Sequence, residues 1–432
     1  MKNYFKLNSV IVFLSLLLLS SCNSESEILI EDNYRVVSFD YGNQTGSWEN
    51  INSAECYKES VMCVISTVAL LNALDSHYEY IYVYPGIYDL GLVDVNRAVV
   101  ISSFKKQQAV LLGTTYLNIL SDNVKVEGFK FLNGASPSNG VFAKERFGSL
   151  SISGDNVQIV NNHFYQIGLN STVDDKTGIA IKIQNASNIE LSNNLFENSR
   201  AIAIKTDDYS RNIVVKFNEF KDSVYFGGAG EVVHIGDANS VSQGISPVAD
   251  NVSLLFSNNY VKNWNLEKEL ISIKADFNSI FNNVFEDNSF SAIVVRMGND
   301  NHINNNIIVG NTDFPFRVSG ERNIFQNNLA CGKGAVASLH AEMVYSEYRP
   351  NLFNSYWAAK DNVFKNNAFY GYDKLALLDE GDAVAADYLA SYPENNNFLN
   401  NIFYSENYFD QNFPNVNLIN NRIVSASIKC PF

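Results

Sequence analysis

Through most of the chain, apolar and polar residues alternate in short runs that stop at a pair of asparagines. The pattern reads VQIVNNHF from residue 157, IELSNNLF from 189 and NSIFNNVF from 278. It returns as NHINNNII from 301, NVFKNNAF from 362 and NNFLNNIF from 396. Strict alternation over four to six residues is the period of a half-buried strand, and the apolar members are mostly Ile, Val, Leu and Phe. The second asparagine of the phrase falls at Asn194, Asn218, Asn259, Asn283, Asn306 and Asn328, at spacings of 24, 41, 24, 23 and 22 residues. A fixed period of that length built from short strands predicts a solenoid. Asparagine tolerates left-handed backbone angles, and asparagines stacked at equivalent corners can bond to one another along the axis. The expectation is an all-β, single-domain, right-handed parallel β-helix. ECYKESVMCVISTVALLNALDSH (55–77) has helical patterning and is expected to be an N-terminal capping helix that covers the exposed strand edges. The first turns are expected to begin at YIYVYPGIYDL. The spacing of 41 places a long loop between Glu219 and Asn259, and long loops on a rigid scaffold are where function concentrates.

Charged residues follow the same period. Lys274, Arg296 and Arg317 are separated by 22 and 21 residues, one turn each; Lys182 and Lys205 are 23 apart, with His234 at a similar place in the turn between the two groups. Adjacent strands lie about 4.8 Å apart, so Lys274 and Arg296 should be neighbours in a cationic stripe on one outer face. His234 and Lys205 are candidate substrate contacts on that stripe, and a satisfied surface histidine is an equal reading for His234. Glu267 and Glu269 in LEKELISIK share a face. Lys274 has the opposite parity, so the backbone must bend if all three are to meet. Two carboxylates on one face repel unless a cation joins them, which makes a hard ion such as calcium a candidate ligand.

The formal net charge of −15 falls to −17 once Lys2 and Lys6 are removed. That balance argues against a general polyanion or nucleic-acid binder and requires a local cationic patch for any anionic ligand. The first 21 residues read as a signal peptide, with basic Lys2 and Lys6 followed by the apolar VIVFLSLLLLS, too short to span a bilayer. LSSC, ending at Cys22, resembles the lipobox of bacterial lipoproteins, which implies lipidation of Cys22. Residues 22–45 are expected to be a polar tether and 46–432 the β-helix, held at the outer membrane by a lipid anchor only and acting as a monomer. Cys56 and Cys63 are close enough to pair, while Cys331 and Cys430 are expected to be unlinked.

The set Glu267, Glu269, Lys274 and Arg296, in that order and spacing, resembles polysaccharide lyase family 6, which includes chondroitinase B and many alginate lyases. GGAGEVVHIG (227–236) is similar to the metal-side loop of that family, and the resemblance extends over about residues 80–335. It implies that Lys274 removes the C5 proton of a uronate, that Arg296 acts as acid or charge stabiliser, and that calcium on Glu267, Glu269 and Glu231 neutralises the sugar carboxylate. The metal-binding asparagine of the family falls on Gly228, a departure that weakens the calcium expectation or calls in another ligand such as Asn265. Arg317 resembles an arginine of the alginate-type members, so alginate is the expected substrate and dermatan sulfate the runner-up. A non-catalytic polysaccharide-binding surface lipoprotein is the competing class; a glycosidase, which needs two carboxyl groups flanking the bond, is weaker. A tyrosine–histidine base–acid pair stays open.

Overall fold

The computed structural model describes residues 9–13, 35–39, 53–134, 148–169, 178–224, 230–237, 252–288, 291–310, 312–343, 358–379, 389–405, 410–425 and 430–431. The chain divides into two units, Met1–Ile51 and Asn52–Phe432. In the first, Ser9–Phe13 pairs antiparallel with Arg35–Phe39. Arg35–Phe39 falls within the expected tether and is a strand there; the rest of the expected signal segment and of the tether, Cys22 and Gly228 lie outside the described residues. No described helix is long and apolar enough to cross a membrane.

The second unit is a parallel β-helix. Among the described residues, three parallel sheets of 14, 13 and 11 strands are stacked in sequence order. A central coil contributes one strand to each sheet, as in Ser279–Phe281, Val284–Glu286 and Ser291–Val295. The two asparagines of the repeat do different work. The first of each pair takes a left-handed backbone, with φ between 54° and 59° at Asn161, Asn193, Asn258, Asn282, Asn305, Asn327, Asn366 and Asn400, and so turns the corner. The second is buried, and its amide donates to the side-chain oxygen of its counterpart one coil on. That ladder runs from Asn162 through Asn194, Asn218, Asn259, Asn283, Asn306, Asn328, Asn367 and Asn401 to Asn421, at 2.9–3.2 Å. A second ladder joins Asn278, Asn301, Asn323, Asn362 and Asn396, the asparagines that open the repeat phrase in those coils.

Inside the coil, Phe131, Phe164, Phe196 and Phe220 stack with centroids 4.7 Å apart. That is the inter-strand spacing, so the rings repeat in step with the backbone hydrogen bonds. The N-terminal end departs from expectation. Only α1 (Thr67–Leu74), capped by Ser66 accepting from Ala69 N–H, is an α-helix. Ser53–Tyr57 is a 3₁₀ turn, and Val61–Val64 is already a strand of the first sheet, paired with Tyr80–Val83. The β-branched residues of VMCV favour the pleated surface over the helix their spacing suggested. Cys56–Cys63 and Cys331–Cys430 are both disulfide-bonded. The second corrects the expectation of two unlinked thiols: 99 residues of sequence separate partners that the coil brings together on one face.

Candidate active site

The site lies on the outer face of the third sheet, along β1 (Gly178–Ile183), β2 (Ala201–Thr206), β3 (Val233–Ile235), β4 (Glu269–Ile273), β5 (Ser291–Val295), β6 (Phe316–Val318) and β7 (Ala335–His340). Each pairs in parallel with the next. Ile and Val at inward positions bury against the core, which leaves alternate positions to face the groove.

Register assigns the charged residues to two columns. Lys182, Lys205, His234, Ser272, Val294 and Arg317 are successive partners in the first. The second column begins where β4 and β5 end: Ile273 pairs with Val295, so Lys274 and Arg296, the residues that follow, are neighbours as expected. Arg317 is different. It pairs with Val294 and therefore sits two residues short of the Arg296 position, in the column of His234. Coils vary in length, so a spacing of 21 residues did not by itself define the register. The second column continues instead to His340, because Leu339 pairs with Val318 and Val318 with Val295.

The expected bend after Glu269 is present. Leu270 and Ile271 both enter the main core, which breaks the alternation and lets Glu269 and Ser272 meet. Glu269, 5% exposed, accepts from Ser272 Oγ at 2.7 Å through Oε2. Its Oε1 lies 3.3 Å from Arg317 Nη1 and 3.7 Å from Arg296 Nη1. One carboxylate thus ties together the two arginines, which stand in different columns. The same offset recurs one coil earlier, where Glu231 Oε1 stands 2.9 Å from His234 Nδ1. His234 Nε2 in turn lies 3.0 Å from Lys274 Nζ. Lys205 pairs with Asp237 at 2.6 Å.

These contacts set the protonation states. Burial, then the Arg296 charge, lower the Lys274 amine from 10.5 to about 8, against the opposing pull of Glu231 and Glu269. Burial alone would raise Glu231, but the His234 hydrogen bond and charge outweigh it and hold the carboxyl at about 2. Glu267, half-buried and facing the charges of Glu231 and Glu269, is pushed up to about 7, chiefly by burial. Burial lowers His234. The groove therefore offers an amine that can lose its proton near neutrality beside the Arg296 guanidinium.

A divalent ion fits this arrangement only in part. Glu231 Oε2 is buried without a partner among the described residues, and Glu267, raised chiefly by burial, also faces the charges of Glu231 and Glu269. Glu269, by contrast, is already held by Ser272, Arg296 and Arg317. No group of three or more His, Cys, Asp or Glu among the described residues is arranged to hold a metal. Ser272 and His340 were not anticipated from sequence. The alternation in AVASLH carried the signal for His340, which closes the Arg317 side of the groove with its Nε2 3.4 Å from Arg317 Nη2.

No family model matches the chain, and no curated protein matches it. Solved structures do. One, a PL6 alginate lyase in complex with a trisaccharide, is 17% identical with a TM-score of 0.65, covering 88% of this chain and 87% of that one. The PL6 alginate lyase AlyGC is 17% identical with a TM-score of 0.69, over 84% of this chain and 51% of its own. The PL6 polysaccharide lyase Pedsa3628 from Pseudopedobacter saltans is 18% identical at 0.58, over 84% and 92%. The fold is also shared with a GH87 α-1,3-glucanase from Streptomyces thermodiastaticus and with PfbA, a surface adhesin of Streptococcus pneumoniae, at TM-scores of 0.58 and 0.52. At these identities the likeness establishes the parallel β-helix that family 6 lyases share with other proteins.

Proposed function

We propose that this chain is a polysaccharide lyase that cleaves an anionic uronate polymer, alginate before dermatan sulfate, by β-elimination. The observation that carries the reading is the juxtaposition of Lys274, an amine lowered to about 8, with Arg296 on the next coil and Arg317 bound to the same Glu269. The C5 proton of a uronate is weakly acidic because its carbanion sits beside an ionised carboxylate. Cations at that carboxylate stabilise the enolate, a preorganised electrostatic effect of the kind that dominates many enzymes. Lys274 takes the proton in its neutral form, the C4–O bond breaks, and an unsaturated uronate is left on one product. Arg296 stabilises the developing charge and stands as the acid for the departing oxygen. Lys205 extends the cationic face for neighbouring sugars, and His234 stands beside it as a polar contact of the same column.

Calcium belongs to the same proposal as an accessory. Glu267 and Glu231, with Glu269, are its candidate ligands, and when bound it would supply further neutralisation of the sugar carboxylate. Export as a lipoprotein lipidated at Cys22, at the outer membrane, is the proposed setting and suits a polymer too large to enter the cell.

The test is ultraviolet absorbance of the unsaturated product on adding alginate, dermatan sulfate and other uronate polymers. Alginate should give the rise, and Lys274→Ala should abolish it while leaving the melting temperature within a few degrees. Activity on dermatan sulfate alone would reverse the substrate order. The adhesin among the structural neighbours favours a second reading, a non-catalytic binder; binding of alginate oligomers without any new double bond would select it.

A further inference from the structure

Two histidines in the groove share an arrangement that neither repeat nor charge spacing disclosed. His234 places Nδ1 2.9 Å from Glu231 Oε1 and Nε2 3.0 Å from Lys274 Nζ. His340 places Nδ1 3.1 Å from the Ala341 carbonyl oxygen and Nε2 3.4 Å from Arg317 Nη2. A carbonyl oxygen only accepts, and so does an ionised carboxylate, so in both rings Nδ1 carries the hydrogen. A guanidinium only donates, so His340 Nε2 must be the bare lone pair. The same assignment on His234 turns its lone pair toward the Lys274 amine. Both rings are buried, 7% and 1% exposed, where a neutral ring with both nitrogens engaged is the low-cost state.

We propose that His234 and His340 are positioning residues. Each is locked in its Nδ1–H tautomer by an oxygen behind it, so that its Nε2 lone pair holds one working cation, Lys274 or Arg317. With one amine hydrogen directed to His234, the remaining tetrahedral directions of Lys274 are fixed, and the lone pair that appears on deprotonation is confined to two headings. Arg317 is held along one edge by His340 and along another by Glu269, which sets the plane of its guanidinium. Neither histidine exchanges a proton with substrate. The roles of the two cations rest on the lyase reading; the tautomers do not.

The chain contains five histidines, few enough to resolve by ¹⁵N labelling of histidine alone. His163 supplies an internal contrast, because its Nε2, not its Nδ1, faces a carboxylate, Glu197 Oε2, at 3.0 Å. Near neutral pH, long-range ¹H–¹⁵N spectra of the wild-type protein should show Nδ1 protonated and Nε2 bare for His234 and His340. An Nε2–H ring or an imidazolium at either position overturns the proposal. Kinetics supply the second arm, using glutamine to keep an acceptor near the Nε2 position and leucine to remove it. His234→Leu should lower kcat by about 100-fold with KM within about twofold, since a slightly misplaced base is costly in the chemical step. His340→Leu should raise KM by about tenfold with kcat within about twofold, and each glutamine variant should recover most of the loss. Equal damage from glutamine and leucine, spread evenly over kcat and KM, would make the histidines ordinary packing and sink the proposal. A wild type silent on every uronate polymer defeats the lyase reading, and the spectra then decide the tautomers alone. They also decide if a leucine variant fails to fold.

Discussion

Lys274 is useful to the proposed chemistry because its surroundings work against its charge. Burial and Arg296 both disfavour the ammonium, which brings the amine to about 8 from 10.5. A base must be neutral, so kcat/KM should climb with pH up to about 8 and then level off. Arg296→Gln removes a cation, and any residual activity should show that limb moved to higher pH. Glu267 has the opposite imbalance: its carboxyl is held at about 7, so the folded protein binds a proton there that the unfolded chain releases near 4.5. Stability contributed by that proton is present below 4.5 and is lost as pH rises toward 7. Glu267→Gln should therefore raise the melting temperature at pH 8 and change it little at pH 4. Calcium added at pH 8 should do the same for the wild type if Glu267 and Glu231 hold it, and a chelator should reverse the gain.

At the scale of elements, the corner asparagines are worth more than their polarity suggests. Asn283 Oδ1 accepts both the backbone N–H and the amide of Asn259, while its own amide donates to Phe256 O and Asn306 Oδ1. Asn283→Ala strands those groups in a dry interior, at roughly 2–4 kcal/mol. Denaturant titration should report that loss, and hydrogen exchange should localise it to the coils around Asn259 and Asn306. This part of the fold was legible because each paired asparagine stands at the end of an alternating run. The second ladder was written there too, since Asn278, Asn301 and Asn323 each stand five residues ahead of the first-ladder asparagine of their coil, but a single asparagine marks a corner less plainly than a pair. Strand ends were legible only where turn residues mark them, so the 3₁₀ turn and first strand at the N-terminal end passed for one helix.

For the whole molecule, a disulfide between Cys331 and Cys430 ties Cys430 to the outer face of the second sheet. It covers a small apolar cluster of Ile307, Leu329, Cys331 and Tyr370. Closing a loop of 99 residues limits the unfolded chain by about 4–5 kcal/mol in the chain-entropy account. Cys430→Ser should lower the melting temperature, with the earliest loss of protection in the last coils. A solenoid makes that localisation possible, because each coil contacts only its neighbours.

By itself the sequence determined the class of fold and the neighbours Lys274 and Arg296, because a repeat of constant chemistry repeats its backbone, and adjacent coils must place equivalent residues side by side. It also placed Lys182, Lys205 and His234 in one column. The tertiary structure alone decided the register of Arg317, the hold of one carboxylate on two arginines, the two histidine locks and the long-range disulfide. Those depend on where a coil of variable length closes and on which way a side chain turns within it, and neither quantity is periodic in the sequence.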